Sequence, residues 1–96
     1  MAGYMIALVY ARDTGWMAKY MANVPAIIAS HGGCYLGAGG DIEQAEGKIA
    51  VPDRAAIFKF PSTAAIREFL ACAAYAPFAA ARQAGADTEI LIFEGD

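Results

Sequence analysis

Few side chains in this 96-residue sequence are equipped for acid–base, nucleophilic or metal chemistry. The only histidine, His31, is the obvious proton carrier near neutral pH and the one candidate catalytic residue. Together with Cys34 it offers two soft ligands, whereas a catalytic zinc site needs three protein ligands and a structural site needs four. We therefore expect no metal and no other cofactor, and an unliganded histidine beside a turn is the simpler interpretation of His31.

One arginine and two tyrosines join His31 as candidate ligand-binding residues. Arg82 lies near the predicted end of a helix, where its charge interacts favourably with the helix dipole. Alternatively, its guanidinium anchors an anion, since it binds carboxylates in a bidentate fork. Tyr35 and Tyr75 each carry a phenol that can donate a hydrogen bond in a pocket, although buried tyrosines also serve as core residues with a polar tip.

Charge and composition exclude two classes of partner. The net charge is −3 and the basic residues are dispersed, so no stripe is available to neutralise nucleic-acid phosphates. No apolar run reaches the roughly 18–20 residues that a membrane span requires. Cys34 and Cys72 show no pairing pattern, which indicates free thiols and predicts a cytoplasmic protein.

The first half of the chain predicts a strand, a helix and a second strand. Residues 4–10 are a continuous apolar run rich in strand formers. Asp13 or Thr14 is then expected to cap a helix, which Pro25 should kink or split and Gly32-Gly33 should end. The apolar face of this helix consists of Met17, Tyr20, Met21, Val24, Ile27 and Ile28. Residues 34–38 form the second predicted strand, which residues 42–45 are expected to continue beyond a glycine bend.

The second half predicts two more strands around an interrupted helix. A strand at residues 55–60 stops at Pro61, and Ser62 caps the helix that follows. The Tyr75-Ala76-Pro77 segment interrupts this helix, and a shorter one runs over residues 77–84. The last strand covers residues 89–94.

The element order is therefore βαββαβ, with the second helix interrupted. This order is typical of an α+β, ferredoxin-like fold, in which helices cover one face of a four-stranded antiparallel sheet. A doubly wound parallel sheet is disfavoured, because only a short loop joins the second and third strands. We expect residues 1–96 to form one domain.

Both faces of the predicted sheet are apolar, although the helices can cover only one. Ile6 and Leu8 lie on one face of the first strand, while Met5 and Val9 lie on the other. The third and fourth strands show the same lack of apolar–polar alternation. An uncovered face of this kind exceeds the apolar patches typical of monomers, so we expect a homodimer formed through the sheet.

A series of short motifs spans almost the whole chain and resembles the DUF1330 family of small, dimeric, ferredoxin-like α/β-barrel proteins. The motifs are Gly32-Gly33, Gly39-Gly40, Glu46-Gly47, Phe60-Pro61-Ser62, Tyr75, Arg82 and Glu94-Gly95. The resemblance implies the dimeric barrel fold and a cytoplasmic bacterial setting, but no reaction. Members commonly carry arginine where this sequence has Ala38, so an anchor for an anionic ligand at that place is lost or moved. Arg82 matches the family's arginine.

Two functions remain open at this point. In the first, the chain binds or transforms a small anionic or aromatic molecule in a pocket between sheet and helices. The polar members of this pocket are then Arg82, His31, Tyr35 and Tyr75. Some proteins with this barrel are cofactor-free monooxygenases of aromatic substrates, an analogy of fold only. Alternatively, the chain is a non-catalytic homodimeric assembly or regulatory module, which the scarcity of catalytic residues favours.

Overall fold

Four strands and three helices alternate along the chain in a computed structural model that describes residues 1–96. Their bounds are β1 (Ala2–Ala11), α1 (Met17–Ser30), β2 (Cys34–Gly39), β3 (Arg54–Phe60), α2 (Thr63–Ala71), α3 (Ala76–Gly85) and β4 (Ala86–Gly95). The predicted order of elements is confirmed; β2 and β3 are one residue longer than predicted, and β1 and β4 extend further at both ends.

The strands form one antiparallel sheet in the order β2-β3-β1-β4. The central strand β1 pairs with β3 and β4, and Met5 lies opposite both Phe58 and Ile92. The sheet order and the helices between the strands confirm the α+β, ferredoxin-like fold.

The hydrophobic core lies between the helices and one face of the sheet, which we call the covered face. Alternation along β1 brings Gly3 and Met5 to this face, where both are buried. The eight buried residues of the core are Met5, Val24, Ile28, Phe58, Phe60, Ile66, Phe69 and Tyr75. Sheet and helices therefore share a single core.

The opposite face of the sheet, the open face, has no helix over it. Ile57, Leu91 and Phe93 lie on this face and remain 44%, 55% and 48% exposed. Ile57 and Leu91 both pair with Ile6, so these apolar side chains form one row across three strands. The prediction that both faces are apolar is therefore confirmed.

Two predicted helix ends have the expected chemistry. The Ser62 hydroxyl accepts a hydrogen bond from the Ala65 amide at 3.1 Å and caps α2. Gly32 ends α1 with φ of 77°, a left-handed conformation that glycine adopts at little cost.

The predicted cap of α1 is wrong. Trp16 occupies the N-cap position, and no side chain caps the helix. The Asp13 carboxylate instead accepts a hydrogen bond from the Gly15 amide at 3.1 Å. Aspartate readily bonds to the backbone two residues further along, so this carboxylate is used in the turn before the helix begins.

Two further predictions need correction. Of the two outcomes predicted for Pro25, the split is wrong, because α1 continues past it to Ser30. The Met21 carbonyl loses its donor, but it belongs to an exposed residue, where water can replace the bond. Residues 42–45 do not continue β2, and no strand lies between Gly39 and Arg54. Asp41 has φ of 53°, which turns the chain out of the extended conformation directly after the glycine pair.

No single helix is long and apolar enough to cross a bilayer; α2 and α3 pass that test only as a pair, and they meet at an angle of 82°.

Candidate functional site

A cavity of about 330 Å³ lies between the covered face of the sheet and the start of α1. Its floor contains Ala38, Ala56 and Ala7, which neighbour one another in register across β2, β3 and β1. The side chains at these positions are methyl groups, which leave empty the space beneath the helices that larger side chains would fill. The cavity therefore follows from the sequence, in which alanine is the most abundant residue.

A β-bulge brings Ala38 onto this floor. Strict alternation would place Tyr35 and Ala38 on opposite faces, since they are three residues apart. The register of β2 shifts between Tyr35 and Gly37, so Tyr35 lies opposite Phe58 and Ala38 lies opposite Ala56. Phe58 and Ala56 share the covered face, and a bulge re-aims the side chains that follow it. Both Tyr35 and Ala38 consequently line the cavity.

Aromatic side chains from α1 and from the turn before α3 form the opposite wall. The rings of Trp16 and Tyr20 meet edge to face at 5.4 Å, and those of Tyr20 and Tyr75 at 6.1 Å. The Trp16 indole N–H donates to the Asp13 carbonyl at 3.0 Å. Gly85 leaves room for this indole, because a Cβ at that position would overlap it.

Arg82 brings a positive charge into this largely apolar cavity. The last turn of α3 places its side chain in the wall, where it is only 7% exposed. One terminal nitrogen donates a long hydrogen bond of 3.5 Å to the Tyr75 hydroxyl, and Nε has no partner. No carboxylate pairs with Arg82, since the one ion pair of the chain joins Arg12 to Asp87. The guanidinium is therefore buried without a counter-ion.

A second buried polar atom is also without a partner. The hydroxyl of Thr88 is shielded from solvent and makes no hydrogen bond. Thr88 and Arg54 both lie opposite Val9 and face the cavity from either side of it. Arg54 is exposed, so it stands at the rim while Arg82 lies inside.

Burial affects two of the phenols that line the wall, Tyr20 and Tyr35. The hydroxyls of Tyr20 and Tyr75 lie 2.7 Å apart and share one hydrogen bond. Burial, assisted by the nearby Tyr75, raises the pKa of Tyr20 far above its usual value. Burial and then Tyr75 also raise the pKa of Tyr35. Tyr20 and Tyr35 therefore keep their protons at neutral pH.

Three of the four predicted site residues lie together. Tyr35, Tyr75 and Arg82 line the cavity, whereas His31 does not. The His31 Nδ1 lies 2.9 Å from the Ile27 carbonyl, and its ring packs edge-on against Phe69 at 5.9 Å. It follows α1 as the C-cap residue and lies outside the cavity lining. No group of three His, Cys, Asp or Glu side chains is placed to hold a metal ion.

Several lining residues were not predicted as site residues. The sequence indicates Tyr20 only as a member of the apolar face of the first helix, and it singles out no binding role for Trp16. Trp16 and Tyr20 are four residues apart, a spacing that places both on one face at the start of a helix. This spacing is the signal in the sequence that could have identified them as a pair. No sequence pattern singles out Thr88 or Arg54.

Solved structures of the same fold share little sequence with the chain. RPA0582, a protein of unknown function from Rhodopseudomonas palustris, matches with a TM-score of 0.83 at 20% identity over 99% of this chain and 82% of that one. SnoaB, a cofactor-independent oxygenase from Streptomyces nogalater, matches at 0.65 and 16%, covering 99% and 93%. A dimeric ferredoxin-like protein of unknown function from Jannaschia sp. CCS1 matches at 0.66 and 14%, covering 99% and 100%. At these identities the likeness shows the fold alone.

No curated protein matches the chain in sequence. The model of one family, Domain of unknown function (DUF1330), matches residues 2–96. The chain therefore belongs to the DUF1330 family, as its glycine pairs and Arg82 predicted.

Proposed function

We propose that the chain binds a small aromatic carboxylate in the cavity, with Arg82 as the anchor for the acid group. The observation that carries the proposal is the buried guanidinium without a counter-ion. An unpaired charge that is taken out of water costs several kcal/mol in effective terms. A ligand carboxylate offers Arg82 the charge-assisted, two-pronged hydrogen bonding that the chain itself does not supply.

The rest of the cavity suits the apolar part of such a ligand. Met5, Phe58 and Ile90 form apolar surface on its sheet side, and the Tyr35 ring packs on Phe58 at 4.5 Å. Its volume of about 330 Å³ lies at the small end of the roughly 300–1,000 Å³ of small-molecule pockets. These features support a ligand of one or two rings.

The charge of the wall favours an anion over a neutral or cationic ligand. Arg82 and Arg54 line the cavity, and no aspartate or glutamate does. The chain as a whole carries a net charge of −3, so the cavity is a positive site in an acidic protein. Arg54 at the rim also places a positive charge near Ala38, the position at which family members commonly carry arginine.

The proposal is tested by calorimetric titration with 2-naphthoate and with its neutral analogue 2-naphthamide. We expect the acid to bind and the amide to bind more than tenfold more weakly. Hydrogen bonds to a charged group contribute about 1.5–3 kcal/mol, and about 1.4 kcal/mol corresponds to a factor of ten. Arg82→Met should lose this preference, while Arg67→Met, at an exposed arginine of α2, should retain it. Equal binding of acid and amide to the wild type would overturn the proposal.

We propose as a second candidate function that the chain is a homodimeric assembly module whose open face is covered by a second copy. The exposure of Ile57, Leu91 and Phe93 supports this pairing, because burying these side chains on a partner removes apolar surface from water. The dimeric description of the Jannaschia protein, which has the same fold, agrees with it.

Light scattering in solution tests the dimer. The wild type should give twice the chain mass of 10.1 kDa at micromolar concentration. Ile57→Glu places a charge in the open face and should give the single-chain mass. Gln83→Glu adds the same charge at an exposed position of α3 and should remain dimeric. A wild type that scatters only as one chain would contradict the pairing.

A further inference from the structure

The polar groups of the cavity wall are nearly all hydrogen-bond donors. Arg82 has an unpartnered Nε–H, and the hydroxyl of Thr88 has no partner either. Tyr35 adds a phenol from β2. No aspartate, glutamate, histidine, cysteine or lysine lines the cavity, so the wall contains no side chain suited to take a proton from a ligand near neutral pH.

The paired phenols contribute one further free donor. The hydroxyls of Tyr20 and Tyr75 carry two protons between them, and their mutual hydrogen bond uses only one. Arg82 donates a hydrogen bond to the Tyr75 oxygen, so it accepts neither of these two protons. Whichever hydroxyl donates within the pair, one phenol proton remains available to a ligand.

We infer that the cavity binds phenols and enols as their oxyanions and thereby lowers the pKa of the bound molecule. The inference rests on the proposed function and extends it from carboxylates, which are already ionised at neutral pH, to weaker acids. The ligand O–H bond breaks, its electron pair stays on the ligand oxygen, and the proton passes to water or buffer. No other bond changes.

Two opposing effects decide the sign of this pKa change. Burial in an apolar cavity disfavours a phenolate and alone raises a phenol's pKa. Arg82, however, is already buried with an uncompensated positive charge, and a neutral phenol leaves it uncompensated. Preorganised donors in a site shielded from water stabilise negative charge on oxygen strongly. Because the phenolate satisfies Arg82 and a phenol donor together, the charged form is favoured.

The test uses 4-nitrophenol, which ionises near neutral pH and changes colour when it does. Its absorbance is titrated against pH with and without excess wild-type protein. A bound pKa at least one unit below the free value is expected, which corresponds to at least tenfold tighter binding of the anion. A bound pKa that is unchanged or raised overturns the inference.

Variants separate this inference from the proposed function. Arg82→Met should leave the bound pKa at or above the free value, and Tyr75→Phe should reduce the downward shift. Arg67→Met should behave as the wild type. If 2-naphthoate binds to the wild type and the pKa of bound 4-nitrophenol does not fall, the inference fails while the proposed function stands. If neither molecule binds to the wild type, both fail.

Discussion

The hydrogen-bonding capacity of the Arg82 side chain is poorly satisfied within the folded chain. Its guanidinium is buried, its Nε–H has no acceptor, and its one hydrogen bond within the wall is a long one. A buried donor without a partner costs about 1–3 kcal/mol, and more when it is charged. Residues that break a local rule in this way are expected at functional sites, where binding compensates the cost.

Replacing Arg82 should therefore stabilise the unliganded protein. We expect Arg82→Met to raise the free energy of unfolding by about 1–3 kcal/mol, because the new side chain keeps the apolar stem and removes the unpaired charge. Urea denaturation measures the change. Arg67→Met should shift the same quantity by less than about 0.5 kcal/mol. A less stable Arg82→Met protein would show that the guanidinium contributes to folding.

Tyr20 should make the protein sensitive to alkali. Its raised pKa means that it stays neutral in the folded chain at pH values where the unfolded chain loses the proton. Its contribution to stability is full below pH of about 10 and falls above it, by up to about 1.4 kcal/mol per pH unit. In Tyr20→Phe the free energy of unfolding should decline less steeply above pH of about 10. An identical slope in Tyr20→Phe would refute this assignment.

At the scale of elements, three strands create the cavity by aligning alanines beneath α1. Ala7, Ala38 and Ala56 occupy one cross-strand row of the covered face. The neighbouring row has larger side chains, and its Met5 and Phe58 belong to the buried core between the sheet and the helices. The lining residues lie in strands and helices or at helix caps, so the volume of the site follows from strand register and helix packing.

Filling this alanine row should weaken the binding of 2-naphthoate and leave the fold intact. Ala56→Leu extends a side chain into existing space, so we expect it to fold with at least wild-type stability and to bind 2-naphthoate more than tenfold more weakly. Ala64→Leu makes the same change at an exposed position of α2 and should bind normally. Thermal unfolding with and without ligand measures both effects. Undiminished binding by Ala56→Leu would place the ligand elsewhere.

The sequence predicts the elements better than it predicts this row. Ser62 and Gly32 mark helix ends because capping and left-handed backbone depend on local chemistry alone. The alanine row depends on which residues meet across strands, and the bulge between Tyr35 and Gly37 inverts the alternation that a reader of the sequence would apply. Arg82, Tyr35 and Tyr75 are recognisable as candidates from their chemistry, but the lack of a carboxylate beside Arg82 is visible only in the folded chain.

At the scale of the whole molecule, the two proposed functions lie on opposite faces of one sheet. The covered face contains the core and the cavity, and the open face presents Ile57, Leu91 and Phe93. Because side chains alternate between faces, a change on one face leaves the other face's side chains in place. The proposed assembly and the proposed ligand binding should therefore be separable by mutation.

The melting temperature of the proposed dimer should depend on protein concentration. Association that requires the folded chain shifts unfolding by mass action, so we expect the wild-type melting temperature to rise across a hundredfold range of concentration. The melting temperature of Ile57→Glu should be lower and independent of concentration. Scanning calorimetry measures both. A wild-type melting temperature that does not change with concentration would argue against assembly through the open face.

The position of Trp16 has a spectroscopic consequence. It is the only tryptophan of the chain, and its indole stands in the cavity wall against Tyr20. The tryptophan fluorescence of the unlabelled protein therefore originates at the site where we propose that the ligand binds. A molecule that displaces water from the cavity should move the emission towards shorter wavelength, and Gly85→Ala, which pushes the indole aside, should alter that signal before any ligand is added.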